Sequence, residues 1–170
     1  GLVDEARAEA RRTLAALAPY LERGATVVGL EPSCLLTMRD EFLVLGLGED
    51  APIAATLAPR ALLLEEFLDR EHRLGRLELD LSPIGPSRAL LHGHCHQKAF
   101  DAVRPIERVL ALVPGLEVSL VESSCCGMAG AFGYEAEHYD ASRAMGELSL
   151  LPAVRAATDD TLVVADGTSC

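Results

Sequence analysis

Four short apolar runs recur along the chain: Ala25-Thr26-Val27-Val28-Gly29-Leu30, Ala89-Leu90-Leu91-His92, Val118-Ser119-Leu120-Val121 and Leu162-Val163-Val164-Ala165. Their length and composition suit strands buried on both faces of a sheet. Helical patterns lie between them, at 33 to 46, 60 to 74, about 97 to 113, and in two stretches from 135 to 157 separated near Gly146 and Pro152. Ahead of the first run, Leu2, Ala6, Ala10, Leu14, Leu17 and Leu21 fall at near-helical spacing between charges, and Arg23-Gly24 supplies a stop signal. Strands alternating with helices predict an α/β fold: a mostly parallel sheet with helices on both faces, layered in the Rossmann manner. Residues 75 to 88 hold Gly75, Pro83, Gly85 and Pro86 and read as a connecting loop with an edge segment. The expectation is a single domain over residues 1 to 170.

Bulk properties exclude several function classes. With 170 residues, 49% of them hydrophobic and 24% charged, the chain can build a sizeable core. A formal charge of -11 and a pI near 4.8, with no Lys/Arg run, leave no basic footprint for a phosphate backbone, so nucleic acid is not an expected partner. Apolar stretches such as Ala61-Leu62-Leu63-Leu64 stop far short of the roughly 18 residues a transmembrane helix needs. The start, Gly1-Leu2-Val3-Asp4-Glu5-Ala6-Arg7, enters a charged helical pattern directly, without an initiator Met or a basic region followed by an apolar one. This predicts a fragment of a longer, multidomain polypeptide. Five cysteines, an odd count in a chain of this length, do not suit a disulfide framework and point to a reducing, cytoplasmic compartment.

Each cysteine falls just past a predicted strand: Cys34, Cys95, the pair Cys125-Cys126, and Cys170. The carboxyl ends of parallel strands form the ligand crevice of open sheets, so five thiols are expected along one edge. A free Cys is often only a small buried hydrophobe, which explains any one of these better than all five together. Cys125-Cys126 precedes Gly127, Gly130 and Gly133, whose backbone can approach a thiolate or sulfide closely. A disulfide between adjacent residues is strained and disfavoured in a reducing cell. The segments Val27 to Cys34 and Val163 to Cys170 share a pattern of strand, acidic residue, tight turn and Ser-Cys. That echo predicts two similar units placing similar cysteines at corresponding strand ends.

Thiolates select zinc, copper(I) or iron-sulfur clusters. The short C-x2-C pairs typical of zinc are absent, yet His92-Gly93-His94-Cys95-His96 offers zinc ligands, and spacing alone leaves the metal open. Alternation along a strand end would put His92, His94 and His96 on one side and Cys95 on the other. These histidines are assigned to hydrogen-bonded packing around the centre in preference to direct ligation. A thiol nucleophile at Cys125 or Cys126, activated by His96, ranks lowest, because five thiols exceed what a nucleophile and its resolving partner require. No G-x-G-x-x-G follows a strand, so hydride chemistry with a dinucleotide is not expected here.

At Leu91-His92-Gly93-His94-Cys95-His96-Gln97-Lys98-Ala99 and Ser124-Cys125-Cys126-Gly127-Met128-Ala129-Gly130 the sequence resembles the cysteine-rich CCG domain. That family includes the heterodisulfide reductase B subunit and the iron-sulfur subunits of glycolate and lactate oxidases. The likeness runs from Glu31-Pro32-Ser33-Cys34 to Gly167-Thr168-Ser169-Cys170. It is nearest to the C-terminal part of FAD-linked oxidases that fuse a flavin domain, a ferredoxin-like iron-sulfur segment and CCG domains, as in relatives of D-lactate and D-2-hydroxyglutarate dehydrogenases. A full family motif has one Cys, then Cys-Cys-Gly, then C-x2-C, and holds a 4Fe-4S or noncubane cluster. The resemblance implies that Cys95 is the first position, Cys125 and Cys126 the pair, and Cys170 a member of the final pair, while Cys34 matches the end of a preceding unit. A second member of the final pair has no counterpart within these residues. The implied function is an iron-sulfur electron-transfer module of an FAD-linked 2-hydroxy-acid oxidoreductase. Its partners would be the flavin domain, which carries the FAD, and the ferredoxin-like segment, and the module alone would not turn over substrate. The alternative is a structural zinc-binding docking domain of the same complex, using the five cysteines with a histidine.

Overall fold

The computed structural model describes residues 1–170. They pack as two compact units, Gly1–Phe67 and Leu68–Cys170. The fold is α/β, and every strand pairing is parallel. The strands are shared between two sheets, one in each unit, where the sequence suggested one.

In the first unit, α1 (Val3–Glu22) buries Ala10, Leu14 and Leu21, the inward stripe that its periodicity prescribes. Strand β1 (Val27–Gly29) is followed by α2 (Pro32–Arg39), α3 (Glu41–Val44), α4 (Ala51–Leu57) and β2 (Ala61–Leu63), which pairs in register with β1. Leu35, Leu36, Phe42, Leu47, Ala54, Leu57, Ala61 and Leu63 complete the core. The helix expected over 33 to 46 is broken at Asp40, whose φ of -122° and ψ of -70° leave the helical region. The one expected over 60 to 74 begins instead with β2, after which α5 (Leu64–Arg73) starts. Glu66 fastens this corner: its carboxylate accepts from the Leu63 amide at 2.9 Å and pairs with Arg39 at 2.7 Å.

In the second unit, β3 (Arg88–His92) is central between β4 (Glu117–Leu120) and β5 (Thr161–Ala165). Two short helices, α6 (Cys95–Ala99) and α7 (Arg104–Leu110), connect β3 to β4, and α8 (Tyr139–Gly146) and α9 (Leu150–Ala156) lie between β4 and β5. The single helix expected near 97 to 113 is therefore two. The chain turns at Asp101, whose φ is +54°, and Pro105 sits in the first turn of α7, where it needs no amide partner. Leu91, Val103 and Ile106 form the core of this unit, with Leu110, Val118 and Val164 against them. Asp69, in the middle of α5, is 3% exposed. It accepts a two-pronged hydrogen bond from Arg108 at 2.7 and 2.8 Å, with Arg73 at 3.2 Å.

This topology positions the site. From β3 the chain moves out to β4 and then crosses back past β3 to β5. Right-handed crossovers in opposite directions place their helices on opposite faces, and such a reversal opens a crevice at the carboxyl ends of the strands. No single helix is long and apolar enough to cross a membrane.

Candidate metal centre

Three strand ends deliver sulfur to one place in the second unit. After β3 the chain turns through Gly93, where a Cβ would lie 2.8 Å from Val103, and enters α6 at Cys95. His94 caps that helix, its ring nitrogen accepting from the His96 amide at 3.2 Å, while Gln97 reaches back to accept from the His94 amide at 2.9 Å. This is a capping box with imidazole in place of the usual hydroxyl. It corrects the expected alternation: the strand ends at His92, so His94, Cys95 and His96 occupy a helix start and not one extended edge. Gln97 is wholly buried and donates to Asp166 at 2.7 Å, tying the start of α6 to the end of β5. Gly167 completes the fit, since a Cβ there would lie 2.3 Å from the His94 ring.

Beyond β4, the backbone at 123 and 124 is held by Lys98, whose ammonium donates to the Ser123 carbonyl at 2.5 Å, to the Ser123 hydroxyl at 3.2 Å and to the Ser124 carbonyl at 3.3 Å. Cys125 and Cys126 follow in a loop that curls onto its own amides. The Gly127 amide donates to Cys125 Sγ at 3.3 Å and the Met128 amide to Cys126 Sγ at 3.4 Å. Gly127 has a φ of +95°, and a Cβ on it would meet the Ser142 carbonyl oxygen at 2.1 Å, so no other residue fits.

The four sulfurs act on one another's ionisation, Cys95 with Cys125 and Cys126, Cys125 with Cys126, and Cys170 with Cys126 and Cys95. Cys126 Sγ and Cys170 Sγ lie within 4.8 Å of each other, and Cys95 Sγ donates to the Ser124 carbonyl at 3.8 Å. Burial pushes the Cys95 thiol up, reinforced by Cys125 and the neighbouring Cys126 and eased by Lys98. Burial likewise pushes Cys170 up to about 12, reinforced by Cys126. Burial also acts to raise Cys125, but donors from the Gly127 amide, Cys95, Cys126 and the Ala129 amide outweigh it and bring the thiol below its ordinary value. The most readily ionised of these three sulfurs is thus the one at which the Gly127 amide is aimed.

His92 joins this group. One of its ring nitrogens, Cys126 Sγ and Cys170 Sγ all lie within 4.8 Å of one another, a grouping compact enough for one metal ion. Nδ1 lies 2.8 Å from the Ser123 hydroxyl, whereas the buried Nε2 has no hydrogen-bond partner. Burial, with Lys98 and His94 nearby, brings His92 down to about 4, so the ring is neutral at neutral pH. His96 also buries an unpartnered ring nitrogen, Nδ1. A cavity of about 530 Å³ adjoins Cys126 and Cys170, lined also by Met128, Tyr134, Tyr139 and Arg143.

Cys34 is placed differently. It follows a strand of the other sheet, in the first turn of α2, so the five cysteines do not share one sheet edge. Its amide donates to the capping Glu31 carboxylate at 2.8 Å, and the Glu31 side chain, through a hydrogen bond and its charge, holds the thiol above its ordinary value. The two echoed segments therefore share a strand followed by an acidic residue and a turn, but Glu31 caps its own cysteine whereas Asp166 engages Gln97.

Sequence reasoning missed Lys98, Gln97, Ser123 and Asp166, which hold the cysteines in place without supplying a sulfur. For Gln97 a signal existed, its position three residues past a helix cap. Lys98 carries none, because its role depends on where β4 ends.

The chain is 28% identical, over its whole length, to a subunit of the anaerobic glycerol-3-phosphate dehydrogenase of Escherichia coli K12. It is 29% identical to a D-2-hydroxyglutarate dehydrogenase of Pseudomonas putida over 74% of its residues, and 27% identical to one of E. coli K12 over 88%. It spans 41% of the length of the glycerol-3-phosphate dehydrogenase polypeptide and only 11% and 14% of the two D-2-hydroxyglutarate dehydrogenases. No protein-family model matches the chain. No solved structure matches it either. What these relatives share with the chain is a segment of dehydrogenases, and in this chain the segment gathers His92, Cys126 and Cys170 into a group with metal-binding potential.

Proposed function

We propose that the second unit is an electron-transfer module, a CCG-type domain in which Cys95, Cys125, Cys126 and Cys170 hold an iron-sulfur cluster of the 4Fe-4S or noncubane kind. The observation that carries this reading is the gathering of four sulfurs from three adjacent strand ends, with loop amides aimed at Cys125 and Cys126 and with Cys126 and Cys170 within 4.8 Å of each other. The donor set fits such a group, since soft thiolates are its customary ligands and amides aimed at sulfur tune its potential. When bound, the cluster would accept and release single electrons. The protein's part is to hold the thiolates still through Lys98, Gln97 and Gly127, and to aim the Gly127 and Met128 amides at Cys125 and Cys126. A reducing, cytoplasmic setting keeps the thiols available.

By this proposal the module serves an FAD-linked dehydrogenase of small hydroxy acids or a related alcohol such as glycerol 3-phosphate, the substrates for which its relatives are named. Electrons from a flavin domain and a ferredoxin-like segment outside these residues would cross it to an acceptor. Replacing Cys125 and Cys126 together by serine in a protein that carries both domains should leave flavin reduction by substrate intact and abolish turnover with the acceptor. Serine keeps size and hydrogen bonding but offers a hard, poorly ionised oxygen. Unchanged turnover would contradict the proposal. A second reading, a zinc-held docking domain, draws on the compact His92, Cys126 and Cys170 grouping, and predicts zinc with no iron or sulfide in anaerobically prepared protein.

A further inference from the structure

We propose that His92 is itself a ligand of the metal centre, giving its Nε2 nitrogen to the metal that Cys126 and Cys170 bind; this rests on the reading of the cysteines as metal ligands. His92 is the last residue of the central strand and is 1% exposed. A polar nitrogen this deep in the protein normally has a partner, because burying it unsatisfied forfeits its hydration with nothing in return. Nε2 has none within the protein. The ring offers a nitrogen within 4.8 Å of both Cys126 Sγ and Cys170 Sγ, the mutual spacing of donor atoms around one ion.

The rest of the ring's surroundings prepare it for that role. Metal-bound imidazoles carry their proton on the other nitrogen, and an outer hydrogen bond fixes that tautomer and the ring's orientation. His92 Nδ1 has such a partner in the Ser123 hydroxyl at 2.8 Å, and Ser123 is in turn held by Lys98. With the proton on Nδ1, the Nε2 lone pair is left free for a metal. Plain hydrogen-bonded packing, by contrast, would leave Nε2 paired with a protein group, which it is not. The set is therefore one of mixed sulfur and nitrogen donors, not sulfur alone.

Cobalt(II) provides a direct probe, since its absorption and X-ray spectra distinguish thiolate from imidazole ligands. Anaerobically reduced wild-type protein loaded with cobalt(II) alone should show thiolate-to-metal charge transfer together with an imidazole shell in X-ray absorption. His92→Ala should retain the charge transfer and lose the imidazole shell. Ser123→Ala, which leaves the ring in place and removes the hydroxyl that Nδ1 and Lys98 share, should weaken cobalt binding about 10- to 100-fold. An all-sulfur shell around wild-type cobalt would overturn the role of His92 while leaving the cysteines as metal ligands. Absence of any thiolate charge transfer in the wild type would overturn both together. The wild-type spectrum decides the matter even if the alanine variants fail to fold.

Discussion

Gly127 shows how far the site depends on single residues. Its backbone is left-handed, and the space a side chain would need is filled by the Ser142 carbonyl, so Cys126 is followed at once by a residue that only glycine can be. Gly127→Ala is expected to cost at least the roughly 1–3 kcal/mol of a strained backbone, and to displace the amides aimed at Cys125 and Cys126. Gly115 has a φ of +79° but open space around it, so Gly115→Ala should cost less and leave metal loading unchanged. Chemical denaturation and metal stoichiometry of the two variants compare these directly; equal effects on loading would show that the Gly127 turn does not shape the site. The sequence disclosed Gly127 as a glycine beside two cysteines, but not the carbonyl that makes it obligatory, because Ser142 lies fifteen residues on in another element.

Among the elements, the clearest dependence is the tie between the start of α6 and the end of β5. Gln97→Ala removes a wholly buried side chain that bonds His94 on one side and Asp166 on the other. The expected loss is about 1–3 kcal/mol, with Cys95 and Cys170 no longer held in fixed relation, which denaturation curves and metal affinity together would register. A second tie joins α5 to α7 through Asp69 and Arg108. The Arg108 hydrogen bond, against the opposing effect of burial, brings the Asp69 carboxyl below its ordinary value of 3.8. A carboxylate lowered in the folded state contributes stability that is complete above the unfolded value and is lost as pH falls through the folded one. The stability gap between wild type and Asp69→Asn should therefore be full near neutral pH and shrink below about pH 4. A gap that does not change with pH would show that the Asp69 charge contributes nothing. Such elements were legible where periodicity was long, as in α1, and at β3, β4 and β5. They were not legible at β2, where Ala61-Leu62-Leu63 runs without a break into helix formers and only pairing with β1 makes it a strand. Nor was α4 foreseen, being a seven-residue helix too short to show a period.

For the molecule as a whole, the rule that cysteines follow strands holds for all five. The expectation of one shared sheet edge does not extend to Cys34, because sequence does not say that β1 and β5 belong to different sheets. The histidines were visible as a cluster, but their division of labour was not: His92 ends a strand, His94 caps a helix, and His96 lies within it. That division follows from the helix starting at Cys95, which a strand pattern extrapolated past His92 could not foresee. Whether Cys95, Cys125, Cys126 and Cys170 hold an iron-sulfur cluster, as proposed, is tested most directly by iron and acid-labile sulfide analysis, with visible and electron paramagnetic resonance spectra, of protein reconstituted anaerobically with iron and sulfide, beside Cys126→Ser prepared in the same way. Stoichiometric iron and sulfide with a cluster spectrum in the wild type, lost in Cys126→Ser while its circular dichroism is unchanged, is the predicted result. Zinc retained with no bound sulfide, or a cluster spectrum that survives in Cys126→Ser, would contradict it.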